Sequence, residues 1–307
     1  MHKALIAAKF PEKEIEILKQ NFEITVLENP SKESLLKAVE DTEVLIVRSS
    51  PLVDKDVIKA GKNLKIIGRP GTGLDNIDVA EAKKQNIQVL NTPNANSAAV
   101  AELVFAILLS LFRKIREADF SMKKGLWNKN SLMGSELNGK TIGVVGMGKI
   151  GRIISKIGQS FGMKIVGFDP FLPKEEFEKL GVEFCGNLIE LLKNSDIITL
   201  HLPKTPQTEN LITEKEFKEM KPSAILVNCA RGGIVNEKAL YQALTNGQIA
   251  GAGIDTWETE PTNESPLRDL PNVIALTHIG ASTYEAQKKC ATDLIDQIVK
   301  SYADEKN

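Results

Sequence analysis

Neither sign of charge dominates this sequence. Its 39 Lys and Arg are offset by 40 Asp and Glu, interspersed along 307 residues, for a formal net charge of −1. No basic face is announced, so nucleic-acid binding is not expected. Cysteine is scarce: Cys185, Cys229 and Cys290 are odd in number and far apart. That fits reduced thiols in a cytoplasmic protein and excludes a disulfide framework. Long apolar runs are missing too. The longest, Ala98 to Phe112, is interrupted by Glu102 and Ser110. It falls short of the ~18 residues that span a bilayer, and reads as a buried helix with Ser97 as its N-cap. The run Ala4–Ala8 is too short for the roughly 7–15-residue apolar core of a signal peptide. No membrane association is expected. Low-complexity tracts, charge runs and residue-level repeats are absent as well. Histidine is as scarce as cysteine, present only at His2, His201 and His278.

What is present is an ordinary globular composition, 42% hydrophobic and 26% charged, in a chain long enough for two domains. Short β-branched runs alternate with charged helical patterns. Apolar strands are expected at 3–8, 24–27, 44–47, 64–67 and 87–90, with helices between them. The rhythm restarts after Gly139 with TIGVVG, MKIVGFD, VEFC, DIITLHL, AILVNCA, AGAGIDTW and VIALT. Continuous apolar strands alternating with helices predict parallel sheets covered on both faces. The fold class is therefore α/β, with two doubly wound parallel sheets.

The strongest local motif is TIGVVGMGKIGRIISKIGQSFGMKIVGFDP, from Thr141 to Pro170. Glycine patterns recur in ordinary turns, but here Gly146, Gly148 and Gly151 follow a strand and open an amphipathic helix that ends near Gly162. A second strand then delivers Asp169. Gly146 permits the tight turn, Gly148 lets backbone N–H groups approach a pyrophosphate, and Gly151 lets helix and strand pack closely. The helix N-terminus adds positive partial charge. Asp169 suits the ribose hydroxyls and would repel a 2′-phosphate, so NAD is expected rather than NADP. The fingerprint sits at the first βα turn of its domain, so the residues before it form something else.

Oxidising an alcohol with NAD calls for a base at the hydroxyl and a fixed cation near the oxygen. Three strand ends offer such groups: Arg231 before Gly232 and Gly233, Asp255 followed by Glu260, and His278 in LTHIGAST. Ligands of open α/β sheets bind beyond the carboxyl ends of the strands. Each residue also has a bland reading. Arg231 could be a surface arginine in a glycine turn, Glu260 a solvated carboxylate in ETEPTNES, and His278 a structural histidine. His201 also ends an apolar strand and is the rival base. Spacing alone does not choose between the two histidines.

VGMGKIGRIISKIGQSFGMKIVGFDP, NCARGGIVNEKAL, GAGIDTWETEP and HIGASTYEAQKKC together resemble the D-isomer-specific 2-hydroxyacid dehydrogenase family. The resemblance runs into the first half through VRSSPLVDKDVI and LKIIGRPGTGLDNIDVAEAKKQNIQVLNTPNANS. It implies a Rossmann NAD domain, residues 98–284, inserted into a flavodoxin-like substrate domain, residues 1–97 plus 285–307. The helix and loop over 98–140 would make the domain and dimer contact of a homodimer. It also implies roles. His278 would be the acid–base group, Glu260 its partner, and Arg231 the clamp for the substrate carboxylate. Gly146, Gly148, Lys149, Ile150, Gly151, Asp169, Pro170, Pro203, Thr208, Cys229, Asp255 and Gly280 would line the cofactor. Arg48, Ser49 and Asn96 would hold the substrate, with Arg69, Gly71, Thr72 and Gly73 in a loop that closes over it. No metal is implied.

The nearest branch oxidises D-3-phosphoglycerate to 3-phosphohydroxypyruvate, the first step toward serine. Two departures stand out. Thr277 occupies a position where relatives usually carry proline, and the GLWNKNSLMG segment offers only Lys129 where phosphoglycerate enzymes carry several basic residues. A phosphate needs more positive charge than Arg48 alone to offset its desolvation, which leaves a glyoxylate or hydroxypyruvate (D-glycerate) reductase as the alternative within the family. An NAD-sensing corepressor-like binding protein is the alternative of another class. The chain ends soon after the closing helix, so serine feedback through a regulatory extension is not expected.

Overall fold

The computed structural model describes residues 2–262 and 264–304. Met1 and residues 305–307, at the two ends of the expected substrate domain, lie outside the described residues. The chain divides into two compact units, Met1–Asn96 with Ala281–Asn307, and Ser97–Gly280.

The first unit holds five strands: β1 (His2–Ile6), β2 (Phe22–Val26), β3 (Val44–Ile46), β4 (Ile66–Arg69) and β5 (Gln88–Asn91). All pair in parallel, in the order β2-β1-β3-β4-β5. That is the flavodoxin-like doubly wound order. The unbroken apolar strands follow from burial on both faces. Leu5, Leu45 and Ile67 join one core, while Ile6, Val44 and Ile66 join the other. The second core is closed by Ala291, Leu294, Ile295 and Ile298 of the helix Tyr284–Asp304. Each such leucine or isoleucine, fully withdrawn from water, contributes roughly 1.5–3 kcal/mol.

The second unit opens with the helix Ser97–Phe112. Ser97, at the expected start, is its first residue. Seven parallel strands follow: β6 (Thr141–Val145), β7 (Lys164–Phe168), β8 (Glu183–Phe184), β9 (Ile197–Leu200), β10 (Ile225–Asn228), β11 (Gly251–Ile254) and β12 (Val273–Ala275). Their order is β12-β11-β10-β9-β6-β7-β8. The chain therefore reverses direction across the sheet between β6 and β9, the switch point where such sheets bind ligands. Register then decides what emerges there. Val145 pairs with Phe168 and Leu200, so the turns at Gly146, Asp169 and His201 leave the sheet side by side. Asn228 pairs with Leu200 and Ile254, and Ile254 with Ala275, which lines up the turns of Arg231, Glu260 and His278 along the same edge. Among the described residues, no helix is long and apolar enough to cross a membrane.

Candidate active site

The glycine turn after β6 has the shape that its residues predict. Gly146 sits at φ 94, and a Cβ there would lie 2.4 Å from the His201 carbonyl oxygen. A Cβ on Gly151 would lie 2.2 Å from the Gly146 carbonyl oxygen, so the helix Lys149–Ser160 and the turn touch backbone to backbone. Gly148 differs: a Cβ there meets no atom within 4 Å. It is the N-cap of that helix, and no side chain among the described residues caps the helix. Free N–H groups beside open space are what a pyrophosphate needs. Asp169 accepts the Met147 N–H (2.9 Å) through Oδ2 and the Phe171 N–H (3.0 Å) through Oδ1. Its carboxylate is thereby fixed at the rim of the same turn, with lone pairs to spare for ribose hydroxyls. Gly148 and Lys149 are exposed and Ile150 half-buried. These residues fit NAD.

Beyond β9, Thr208 donates to the Pro203 carbonyl at 2.6 Å and accepts the Thr205 N–H at 2.8 Å, which brings Pro203 and Thr208 into one turn. That turn reaches the arginine loop, where the Asn210 N–H donates to the Gly233 carbonyl at 2.7 Å. Beyond β10, Asn228 is buried and builds the turn that presents Arg231. Its Oδ1 accepts the Ala230 N–H (3.1 Å) and its Nδ2 donates to the Arg231 carbonyl (3.0 Å). Cys229 beside it is buried, and burial, with Asp255 nearby, pushes its thiol up, so it stays protonated.

His278 and Glu260 meet. Nδ1 of the imidazole lies 2.7 Å from Glu260 Oε2. Glu260 Oε1 accepts the Trp257 backbone N–H at 3.0 Å. The hydrogen bond to Glu260 raises the His278 pKa above the ordinary value, against the opposing pull of burial. Burial pushes the Glu260 carboxyl up, but its bonds from His278 and Trp257 outweigh this and hold it below the usual carboxylate range. Asp255, almost fully buried, accepts the Ile279 (2.7 Å) and Gly280 (2.8 Å) N–H groups from beneath the histidine loop. His201 has a different environment. Its Nε2 bonds Thr199 Oγ1 at 2.8 Å, Nδ1 is buried without a hydrogen-bond partner, and burial pushes its pKa down to about 3. An imidazole that stays neutral far below neutral pH is a poor proton carrier. His278 has the partner and the pKa that His201 lacks.

The remaining candidates lie in the first unit, at the carboxyl ends of its strands. Arg48 follows β3, and its guanidinium donates to Gln287 Oε1 on the last helix. Its carbonyl accepts Arg69 Nε (3.1 Å) and Asn76 Nδ2 (3.0 Å). Ser49 is exposed. Gly71, at φ 151, exchanges hydrogen bonds with Thr92, and Thr72 Oγ1 donates to Asn96 Oδ1 at 3.0 Å. Gly73 is half-buried in the same loop. Asn228, Trp257 and Gln287 were not legible as site residues in the sequence. Only the position of Trp257, between Asp255 and Glu260, offered a signal.

Residues 105–280 match the family model described as D-isomer specific 2-hydroxyacid dehydrogenase, NAD binding domain. The chain is 46% identical over 300 residues to the D-3-phosphoglycerate dehydrogenase of Methanocaldococcus jannaschii, covering 98% of this chain and 57% of that one. It is 45% identical over 285 residues to the hydroxypyruvate reductase of Thermotoga maritima, covering 92% of each. Among solved structures, D-lactate dehydrogenase from Aquifex aeolicus, complexed with NAD and lactic acid, matches with a TM-score of 0.85 and 26% identity over 99% of this chain and 96% of that one. The chain thus spans little more than half the length of the archaeal relative.

Proposed function

Because the chain belongs to the D-isomer-specific 2-hydroxyacid dehydrogenase family, we propose that it oxidises D-3-phosphoglycerate to 3-phosphohydroxypyruvate with NAD, at the head of serine synthesis. The observation that carries the chemistry is the His278–Glu260 pair, 2.7 Å apart, on turns that share a sheet edge with Arg231 and with the glycine turn. NAD, when bound, supplies the hydride acceptor. His278 supplies the proton acceptor: with Nδ1–H donating to Glu260, the lone pair of Nε2 is free for the substrate hydroxyl proton. The imidazolium so formed is stabilised by the Glu260 carboxylate, and in the reverse direction it returns the proton to the carbonyl oxygen. Arg231, a planar cation with paired donors, suits the substrate carboxylate. Arg48, Ser49, Asn96 and the Arg69–Gly73 loop are assigned to substrate contact, and Lys149, Ile150, Pro170, Pro203, Thr208, Cys229, Asp255 and Gly280 to cofactor contact.

The second reading is a reductase of hydroxypyruvate or glyoxylate. It is favoured by Lys129 being the only basic residue in GLWNKNSLMG and by the likeness to the Thermotoga maritima enzyme. Turnover of D-3-phosphoglycerate, D-glycerate, hydroxypyruvate and glyoxylate, followed by NADH absorbance with an NADP control, tests both. Equal or better use of D-glycerate would remove the phosphate assignment.

We also infer a homodimer. Ile115, Phe120, Met122, Trp127 and Met133 expose apolar side chains along one segment of the second unit, an uncommon display unless a partner covers it. Light scattering on the wild type and on Trp127→Glu would show a dimer and its weakening. The three buried free thiols support a reducing, cytoplasmic setting.

A further inference from the structure

The loop that carries His278 is an arch held at both ends. At the near end, Leu276 is fixed twice: its N–H donates to the Ile254 carbonyl (2.8 Å), and its own carbonyl accepts the Trp257 indole N–H (2.8 Å). At the far end, Ile279 and Gly280 are fixed by Asp255. Between the anchors lie only Thr277 and His278. Thr277 has no ring to restrict its φ, and His278 sits in the left-handed region at φ 57, which L side chains disfavour. The conformation persists only if the anchors impose it.

Trp257 does more than anchor Leu276. Its backbone N–H holds Glu260 Oε1, the oxygen that does not face the histidine. Its carbonyl lies against the arginine turn so closely that a Cβ on Gly232 would be 1.6 Å from it. The indole itself is buried in the core of the second unit. One rigid residue therefore touches the turns of Arg231, Glu260 and His278, by three different atoms.

We propose that Trp257 is a positioning residue for proton transfer, its indole N–H setting the height of the His278 arch over a frame that its backbone shares with Glu260 and Arg231. This rests on His278 as the acid–base group. The charged groups that face the imidazole are Glu260 across the hydrogen bond, Asp255 beneath the arch and Arg231 on the neighbouring turn. A small drift of the arch alters the first of these most, because the bond to Glu260 is the largest influence on the imidazole.

The test is Trp257→Phe, which keeps an aromatic ring in the core and deletes the donor to Leu276. With three histidines in the chain, the imidazole signals can be assigned and titrated by NMR in the protein without added cofactor. The His278 midpoint is expected to fall by about half a unit or more. The turnover number should drop on the order of tenfold, as catalytic groups lose their alignment, while the dissociation constant for NAD is unchanged. A wild-type titration curve for His278 in a folded Trp257→Phe protein would overturn the proposal. If that variant fails to fold, hydrogen exchange in the wild type decides. The Trp257 indole N–H should be strongly protected relative to that of exposed Trp127, and equal exchange of the two would overturn the tether. His278→Gln separates the two layers of inference. If it keeps turnover, the acid–base reading falls, and the titration and exchange results alone decide the positioning role.

Discussion

Glu260→Gln removes a charge while keeping the size of the side chain and an acceptor for the Trp257 N–H, so its effect can be worked from the geometry. Nδ1 of His278 and Oε2 of Glu260 are 2.7 Å apart. With the charge centres ~4 Å apart, an effective dielectric constant between about 20 and 80 gives about 1–4 kcal/mol. The two side chains are 45% and 37% exposed, so water screens them and the low end applies, near ~1.4 kcal/mol or about one pKa unit. Burial and Arg231 both push the imidazole the other way, so the variant's His278 should titrate at or below the ordinary histidine value. In the proposed mechanism oxidation needs the neutral imidazole, and its rate therefore rises with pH through the His278 midpoint. The rising limb of kcat/KM against pH should move to lower pH by about one unit in the variant, and the plateau should fall on the order of tenfold as Nδ1 loses its charged partner. The NMR midpoint of His278 should move by the same amount. His201, pushed down to about 3, stays silent over the range and serves as an internal reference. If neither the limb nor the midpoint moves, Glu260 does not partner His278 in solution and the proposed mechanism fails.

The same pair makes stability depend on pH in a stated direction. The His278 pKa is raised in the folded protein, so its contribution is complete below the unfolded value and is lost as pH rises through the folded one; the lowered Glu260 pKa contributes above its unfolded value and is lost as pH falls through the folded one. Glu260→Gln should therefore cost more melting temperature at a pH between the two ordinary values, ~4.5 and ~6.5, than in alkali, and an equal loss at both would contradict the pairing. The glycine turn offers a contrast. Gly151→Ala drives a Cβ to 2.2 Å from backbone and should cost about 1–3 kcal/mol in denaturant unfolding as well as NAD affinity. Gly148→Ala meets no protein atom within 4 Å, so it should cost unfolding no more than the ~1 kcal/mol or less of an alanine N-cap, while weakening NAD binding in a fluorescence titration. Unchanged NAD affinity in Gly148→Ala would mean that the pyrophosphate does not approach there.

The parts that could be read from the sequence are those whose meaning is local. Gly146, Gly148 and Gly151 follow a strand, open a helix and precede Asp169 within one βαβ stretch, and only the approach of Gly146 to the His201 carbonyl reaches beyond it. The parallel sheets were legible for a similar reason, since strands such as Val44–Ile46 are apolar at every position and must be covered on both faces. Arg231, Glu260 and His278 were visible as three polar strand ends, but their meeting depends on the register of β10, β11 and β12, which no single segment encodes. Asn228 acts within its own turn, on Ala230 and Arg231, whereas Trp257 and Gln287 were hidden further, because each works on a group placed by tertiary structure: the carbonyl of Leu276 and the guanidinium of Arg48. Their own neighbours in sequence carry no trace of those partners.

The two histidines show why spacing was insufficient. Both end apolar strands of one sheet, and both have a hydroxyl or acid within hydrogen-bond reach. His201 bonds a threonine and has its other ring nitrogen sealed from water, so burial, uncompensated by charge, holds it neutral. His278 stands on an arch that lifts it away from the core, and there its Nδ1 finds a carboxylate that is itself anchored by a backbone N–H. A base for alcohol oxidation must hold a proton briefly and release it, which needs a counter-charge on one side and an open lone pair on the other. That asymmetry arises because the chain climbs into a left-handed turn at His278 and is tied down on either side of it. The candidate site is thus as much a property of Leu276, Asp255 and Trp257 as of the imidazole that they display.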